Sequence, residues 1–174
     1  MRRWVRSLHV ERKIAELGHV LPPVAVPKGN FVYVKLFAPM TLFLCRNFKR
    51  VGNLAYLSGH LPQKPTEAGF VLGKVGQDMS PEEAKQAALY CALNLCATLK
   101  HNLGDLDRVK SIVKLLAFVN CTDSFTQQPA IVNGCSDFLV EVFGDKGSHT
   151  RSAVGTNSLP LGVAVEIEAI VEVE

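Results

Sequence analysis

Apolar residues recur at helical spacing in three stretches of the chain. The clearest stretch begins at Ser80, which can cap a helix whose first turn holds Pro81 and Glu83, the arrangement of a capping box. Apolar positions then repeat at helical spacing to about Asn102, and Gly104 is a typical helix end. The predicted helices span residues 10–17, 81–102 and 127–143.

Strand patterns fill much of the remaining chain. The final one is the most regular, because one of its sides is apolar and the other carries mostly glutamates. The apolar side consists of Val165, Ile167, Ala169, Val171 and Val173. The predicted strands span residues 31–45, 54–58, 109–119, 151–156 and 163–173.

The order of these elements, β-β-α-β-α-β-β, predicts a fold of the α+β class. We expect a single, mostly antiparallel sheet that carries the two long helices on one face. The other face still has apolar side chains to bury, and such a surface favours self-association.

Composition and charge are those of an ordinary globular domain. The 174 residues fit one domain at residues 21–174, preceded by a basic extension with a short helix at residues 1–20. The net charge of +3 depends on a basic N-terminal cluster, so the domain itself is close to neutral. This distribution argues against a nucleic acid as partner. The longest apolar run is too short to span a membrane, which argues against a membrane as partner.

Cysteine usage indicates a reducing compartment. The five cysteines include no C-x-x-C pair and have no histidines at zinc spacing. We therefore expect reduced cysteines, no metal and no cofactor in a cytoplasmic protein. The basic residues 1–8, which lack any acid, also fit a short mitochondrial leader.

Two charged residues are candidates for chemistry. Arg151 begins a strand among small residues, where a guanidinium can bind a carboxylate through two parallel hydrogen bonds. Glu166 lies in mid-strand between apolar residues, where desolvation raises the pKa of a carboxyl that can take a proton from water. From position alone, the commoner roles are a surface arginine paired with an acid and a glutamate on a solvated strand face.

Three short motifs near the end of the chain occur in a recognisable order and spacing: Arg151-Ser-Ala-Val-Gly155, Leu159-Pro-Leu-Gly162 and Val165-Glu-Ile-Glu-Ala-Ile170. Together with Gly52-Asn-Leu-Ala-Tyr-Leu-Ser-Gly59, they resemble the YjgF/RidA family, also called the L-PSP endoribonuclease-like family. The resemblance implies a chorismate-mutase-like fold that forms a homotrimer around a central barrel.

The resemblance also implies an activity, the hydrolytic deamination of reactive 2-imino or enamine acids to 2-keto acids and ammonia in clefts between subunits. Arg151 would hold the substrate carboxylate, and Glu166 would position or activate the attacking water. The residues implied to contact the substrate are Phe31, Ser58, Gly59, Asn133 and Ala153.

Two features depart from the family's pattern. Phe31 stands where the family commonly has an active-site tyrosine, so the phenolic hydroxyl is absent there. Residues 33–46 form an apolar insertion that could block the cleft or the trimer contact. Two alternatives therefore stay open. One is a non-catalytic trimer that binds small carboxylates or proteins. The other is the ribonuclease of the older family name, for which the chain offers neither a histidine pair nor a basic stripe beyond the N-terminal arm.

Overall fold

A computed structural model describes residues 9–24 and 48–174, which fold around a single five-stranded sheet. The helices are α1 (His9–Glu16), α2 (Pro81–Leu103) and α3 (Gln128–Phe143). The strands are β1 (Phe48–Val51), β2 (Leu54–His60), β3 (Val109–Asn120), β4 (Thr150–Thr156) and β5 (Val165–Val173). Short 3₁₀ helices occur at Leu106–Arg108, Gly144–Gly147 and Pro160–Gly162.

The sheet has the strand order β1-β2-β5-β3-β4. Only the β3–β4 pair is parallel among the described strands, so the prediction of a mostly antiparallel sheet is confirmed. The three predicted helices are present, and so are the strands predicted over 54–58, 109–119, 151–156 and 163–173. The strand predicted over 31–45 lies outside the described residues, as do Phe31 and the 33–46 insertion.

Helix α2 begins and ends where its sequence signals lie. Ser80 Oγ accepts a hydrogen bond from the Glu83 amide (3.3 Å), and the Ser80 amide donates to Glu83 Oε2 (2.9 Å). Gly104 ends the helix in the left-handed region (φ 81°) and donates its amide to the Lys100 carbonyl. Although α2 has 23 residues, no helix within residues 9–24 and 48–174 is both long and apolar enough to cross a membrane.

Strand β5 divides its side chains between two faces of the sheet. The alternate residues from Val165 to Val173 that form its apolar side are all buried. Helices α2 and α3 cover that face, which confirms the prediction that both long helices lie on one side. The residues between them, including Glu166, are only half-buried and lie on the face that the described helices leave uncovered.

The two long helices approach each other closely at Gly134 of α3. A methyl group at this position would overlap the carbonyl oxygen of Lys85 in α2, so only glycine allows the backbones to lie this near. Cys135, the next residue, is fully buried in the same interface, and burial raises the pKa of its thiol above the ordinary range. The contact fixes α3 above β4, where it supplies partners to the candidate site described below.

Helix α1 is anchored by a residue far along the chain. The carboxylate of Asp107 accepts the amide hydrogens of His9 (2.8 Å) and Val10 (3.0 Å), the first two residues of the helix. Val10 and Ile14 are buried against the rest of the protein. The basic N-terminal segment therefore leads into a helix that packs on the domain.

One buried histidine joins β2 to α2. His60 is 4 % exposed; its Nδ1 lies 2.6 Å from the Ser58 carbonyl and its Nε2 2.8 Å from Thr98 Oγ1. A carbonyl oxygen only accepts, so Nδ1 carries the proton and the threonine hydroxyl donates to Nε2. Burial lowers the pKa of His60 to about 4. The hydrogen bond to the Ser58 carbonyl raises the pKa by a smaller amount.

This histidine makes folding stability sensitive to acid. As pH falls below the ordinary histidine pKa, the unfolded chain binds a proton that folded His60 does not accept until about pH 4. The free energy of unfolding should therefore fall by about 3 kcal/mol from this group alone between pH 7 and pH 4. Urea denaturation across that range, compared with His60→Gln, measures the contribution because other titrating groups cancel. Equal pH dependence in the two proteins would contradict it.

Candidate active site

Arg151 lies at the start of β4 and reaches over helix α3. Arg151 pairs with Leu115 of β3, and paired residues of neighbouring strands share a face of the sheet. Because the side chain of Leu115 is buried, Arg151 lies on the face that the helices cover. Its Nη1 donates to Ser136 Oγ (2.8 Å), and its Nη2 donates to Asn133 Oδ1 (2.7 Å) and to the Pro129 carbonyl (3.1 Å). Three groups of one helix thus hold the guanidinium in place.

The positive charge of Arg151 is not neutralised by these contacts. All three acceptors are uncharged, and the ion pairs among residues 9–24 and 48–174 do not include Arg151. The surface arginine paired with an acid, the commoner role for such a residue, is therefore not what the described residues form. A half-buried guanidinium in this state is suited to an anionic ligand.

Glu166 lies on β5, and its carboxylate rests on Gly59 of β2. A methyl group at Gly59 would overlap Glu166 Oε1, so glycine leaves the space that the carboxylate occupies. The pairing of β2 with β5 shifts register between Leu57 and His60, which brings Gly59 to this point. Burial raises the pKa of Glu166 above the ordinary range, and the negative charge of Glu168 raises it further.

Arg151 and Glu166 lie on opposite faces of the sheet. Arg151 pairs with Leu115 and Glu166 pairs with Phe118, and the register between these two positions of β3 is regular. Residues three apart on a strand point to opposite sides. One copy of the chain therefore separates the two candidate residues by the thickness of its own sheet.

The other residues singled out from sequence divide in the same way. On the helix-covered side lie Arg151, Ala153 and Asn133, and on the side of Glu166 lie Gly59 and Ser58. Asn133 contacts Arg151 directly, which the sequence did not indicate. Phe31 lies outside the described residues.

Two residues that sequence reasoning did not assign to the site complete it. Ser136 Oγ, which accepts from Arg151, lies 2.9 Å from His149 Nε2. His149 Nδ1 lies 2.6 Å from the Gly147 carbonyl. No spacing motif indicates this arrangement, because the residues come from α3, from the 3₁₀ helix and from the link to β4. The available signal was the position of Ser136 on the helix face that meets β4.

Two open clefts lie elsewhere on the described surface. One, of about 370 Å³, is on the uncovered face and is lined by residues that include Tyr56, Lys114, Leu116 and Glu168. The other, of about 300 Å³, lies where β3 and β4 end beside the start of α3. Neither cleft is lined by Arg151 or Glu166. Among the described residues, no three His, Cys, Asp or Glu side chains are arranged to hold a metal ion.

Gly59→Ala should move the Glu166 carboxylate at little expense in stability. The added methyl meets the flexible end of a side chain, which can turn toward solvent, and the pKa of Glu166 should then fall toward its ordinary value. NMR titration of the Glu166 side-chain carboxyl measures this shift, and thermal denaturation measures stability.

Gly134→Ala is the matched control, because its methyl meets the backbone carbonyl of Lys85, which cannot turn away. This variant should lose about 1–3 kcal/mol of stability by overpacking and leave the pKa of Glu166 unchanged. An unchanged Glu166 pKa in Gly59→Ala would show that the glycine does not hold the carboxylate in its buried position.

Comparisons with known proteins identify the family and the fold of this chain. The sequence profile of the family described as "YjgF/chorismate_mutase-like, putative endoribonuclease" matches residues 11–172. Protein TCP17 of Trypanosoma cruzi is 39% identical over 169 residues, which cover 97% of this chain and 96% of that protein.

Solved structures extend the comparison to the fold. The protein Atu1372 of Agrobacterium tumefaciens, whose function is unknown, superposes with a TM-score of 0.79 at 36% identity, covering 95% of this chain and 94% of that one. RidA from an Antarctic Psychrobacter superposes with a TM-score of 0.54 at 23% identity, covering 88% of this chain and 94% of that one, and this likeness supports the fold alone. With its α+β sheet and the family profile matched over nearly its whole length, the chain belongs to the YjgF/RidA family.

Proposed function

We propose that this protein hydrolyses reactive 2-imino or enamine acids to 2-keto acids and ammonia, at a site that two subunits form together. The observation that carries the proposal is the Glu166 carboxylate seated on Gly59, with a pKa raised by burial. A base with a raised pKa is better matched to proton transfer near neutral pH than an ordinary glutamate.

The charges at the two candidate residues match those of the substrate class. A protonated 2-imino acid carries a negative carboxylate beside a positive iminium group. Arg151, which the described residues leave without an ion-pair partner, binds the carboxylate, and its neutral partners on α3 keep its full charge for that ligand. Glu166 faces the iminium end, where the positive charge stabilises its ionised form.

The reaction needs one base and correct orientation. Water adds to the electrophilic iminium carbon while Glu166 accepts one of its protons, which gives a carbinolamine. Glu166 then returns that proton to the nitrogen. The carbon–nitrogen bond breaks, the hydroxyl loses its proton to the departing ammonia, and the 2-keto acid remains.

A second subunit is required because one copy holds the two residues on opposite sides of its sheet. The uncovered face supports self-association, since it presents Tyr56, Leu116, Phe118 and Ile170, none of which is buried within the described residues. Apolar surface of this kind favours contact with another copy in a closed, symmetric oligomer. A homotrimer is the arrangement that family membership favours.

The role of Phe31 follows from what phenylalanine lacks. Because it has no hydroxyl, it can supply only an apolar contact to the substrate, so the polar chemistry falls to Arg151 and Glu166. The proposal therefore depends on these two residues and not on the tyrosine that the family commonly has.

Arg151→Ala and Glu166→Gln should each abolish deaminase turnover, with losses of at least about a hundred-fold, because one removes the carboxylate contact and the other the base. The 2-imino acid is generated in situ by an amino-acid oxidase, and its disappearance is followed with and without the protein. Turnover by the wild type should rise with pH through the raised pKa of Glu166, because only the ionised carboxylate accepts a proton.

Matched controls separate these effects from general damage. Arg50→Ala removes an exposed arginine whose Nε donates to the Gly52 carbonyl, and Glu172→Gln changes a glutamate on the same strand and face as Glu166. Both controls should retain turnover. Undiminished activity in Arg151→Ala would exclude the proposed function. Keto-acid binding without turnover in the wild type would identify a binding module, and cleavage of RNA without imine turnover would identify a ribonuclease.

Mixed oligomers test whether the site is shared between subunits. When Arg151→Ala and Glu166→Gln chains are co-expressed in equal amounts, a shared site is intact wherever one neighbour supplies the arginine and the other the glutamate. About a quarter of wild-type activity should return in any cyclic arrangement. Oligomers that contain both differently tagged chains but remain inactive would show that each site belongs to one subunit.

A further inference from the structure

Arg151 is the first member of a hydrogen-bonded chain that ends on the backbone of a tight turn. The guanidinium contacts Ser136, Ser136 contacts His149, and His149 contacts the carbonyl of Gly147, at 2.8, 2.9 and 2.6 Å. The three side chains come from α3, from the segment before β4 and from β4 itself. The contacts therefore join the helix and the strand at the point where the candidate anion site lies.

The directions of the hydrogen bonds in this network follow from the types of groups when the His149 ring is neutral. An arginine only donates, so Ser136 Oγ accepts from it. The Gly147 carbonyl only accepts, so His149 Nδ1 carries a proton, and Nε2 of the neutral ring is left as an acceptor. The hydroxyl proton of Ser136 therefore goes to His149.

Close packing fixes the position of Gly147, where the hydrogen-bonded network ends. Gly147 is buried against α3, where a methyl group would overlap the carbonyl oxygen of Leu139. This contact holds the Gly147 carbonyl rigidly against the helix that also carries Ser136. His149 is consequently oriented from both sides, by an acceptor on the turn and a donor on α3.

A serine inside a helix can donate its hydroxyl proton to the carbonyl four residues earlier. The contact with His149 directs the Ser136 hydroxyl toward β4 and not toward the helix backbone. With the hydroxyl proton committed to His149, an Oγ lone pair stays directed at Arg151 Nη1.

We propose that Ser136 and His149 are positioning residues, which fix the guanidinium of Arg151 so that its remaining N–H groups meet a ligand carboxylate. Within residues 9–24 and 48–174, α3 binds three of the five N–H groups, which leaves two for a ligand. Because serine and neutral histidine carry no charge, they restrict the motion of the guanidinium without weakening its attraction for an anion. The inference rests on the proposed function only in taking Arg151 as the carboxylate contact.

Substitutions of Ser136 and His149 should change substrate binding and leave the chemical step intact. In Ser136→Ala and His149→Phe, KM for the imino acid and Kd for pyruvate, a non-reacting 2-keto acid, should each rise about five-fold. The kcat should stay within about two-fold, because Glu166 and Gly59 lie on the other face of the sheet. Ser136→Thr keeps the hydroxyl and should restore both values.

Thr150→Val is the matched control for these variants. Thr150 lies between His149 and Arg151, but its hydroxyl donates to the Val113 carbonyl and takes no part in the chain. Its removal should leave KM and pyruvate binding unchanged. A rise equal to that in His149→Phe would mean that any disturbance of this segment has the same effect, and would overturn the inference.

The double variant Ser136→Ala/His149→Phe decides whether the two residues act as one unit. If His149 acts only through Ser136, KM in the double variant should rise no further than in Ser136→Ala. Independent effects would multiply to about twenty-five-fold and would overturn the inference.

The inference and the proposed function can fail separately in these measurements. If Arg151→Ala abolishes pyruvate binding while Ser136→Ala and His149→Phe leave it unchanged, the positioning role is wrong and the anion site stands. If the same two variants weaken pyruvate binding while the wild type hydrolyses no imine, the positioning role stands and the deaminase function is wrong.

Discussion

Side chains alternate between the two faces of a strand, and β5 follows this rule without interruption from Val165 to Val173. Helices α2 and α3 offer apolar partners to one face only, so every second residue of β5 is excluded from the core. Glu166 is one of the excluded residues, and it finds its place against Gly59 of the neighbouring strand. The burial of the core and the position of the carboxylate are therefore two results of a single geometric constraint.

The same alternation on β3 and β4 sends Arg151 to the helical side. There the parallel pairing of β3 with β4 requires a crossover connection, and α3 is that connection. Arg151 thus meets a helix that supplies Asn133 and Ser136 as neutral partners. One face presents a cation that the described residues leave uncompensated, and the other presents an acid whose ionised form is destabilised by burial. A ligand of opposite charge would stabilise each of these two charges.

Local signals in the sequence located the three helices and strands β2 to β5, but they did not predict β1. The capping box at Ser80, the end at Gly104 and the alternation in β5 are short-range features, and each gave correct boundaries within a few residues. Position in the strands made Arg151 and Glu166 candidates, but family motifs were needed to prefer a role in chemistry over the surface roles that the residue types favour. The parallel β3–β4 pair, the opposite faces of the two residues and the contact of Ser136 with His149 depend on register between distant segments. No spacing along the chain encodes that register.

Strand β5 follows the other described strands in the chain, yet it lies between β2 and β3. During synthesis the β1–β2 hairpin and the β3–β4 pair cannot join into one sheet until residues 165–173 leave the ribosome. Each half-sheet has an inner edge whose backbone groups are unpaired, and such edges readily pair with other chains. A nascent chain that stops before these nine residues has no native partner for either edge and should be prone to aggregation.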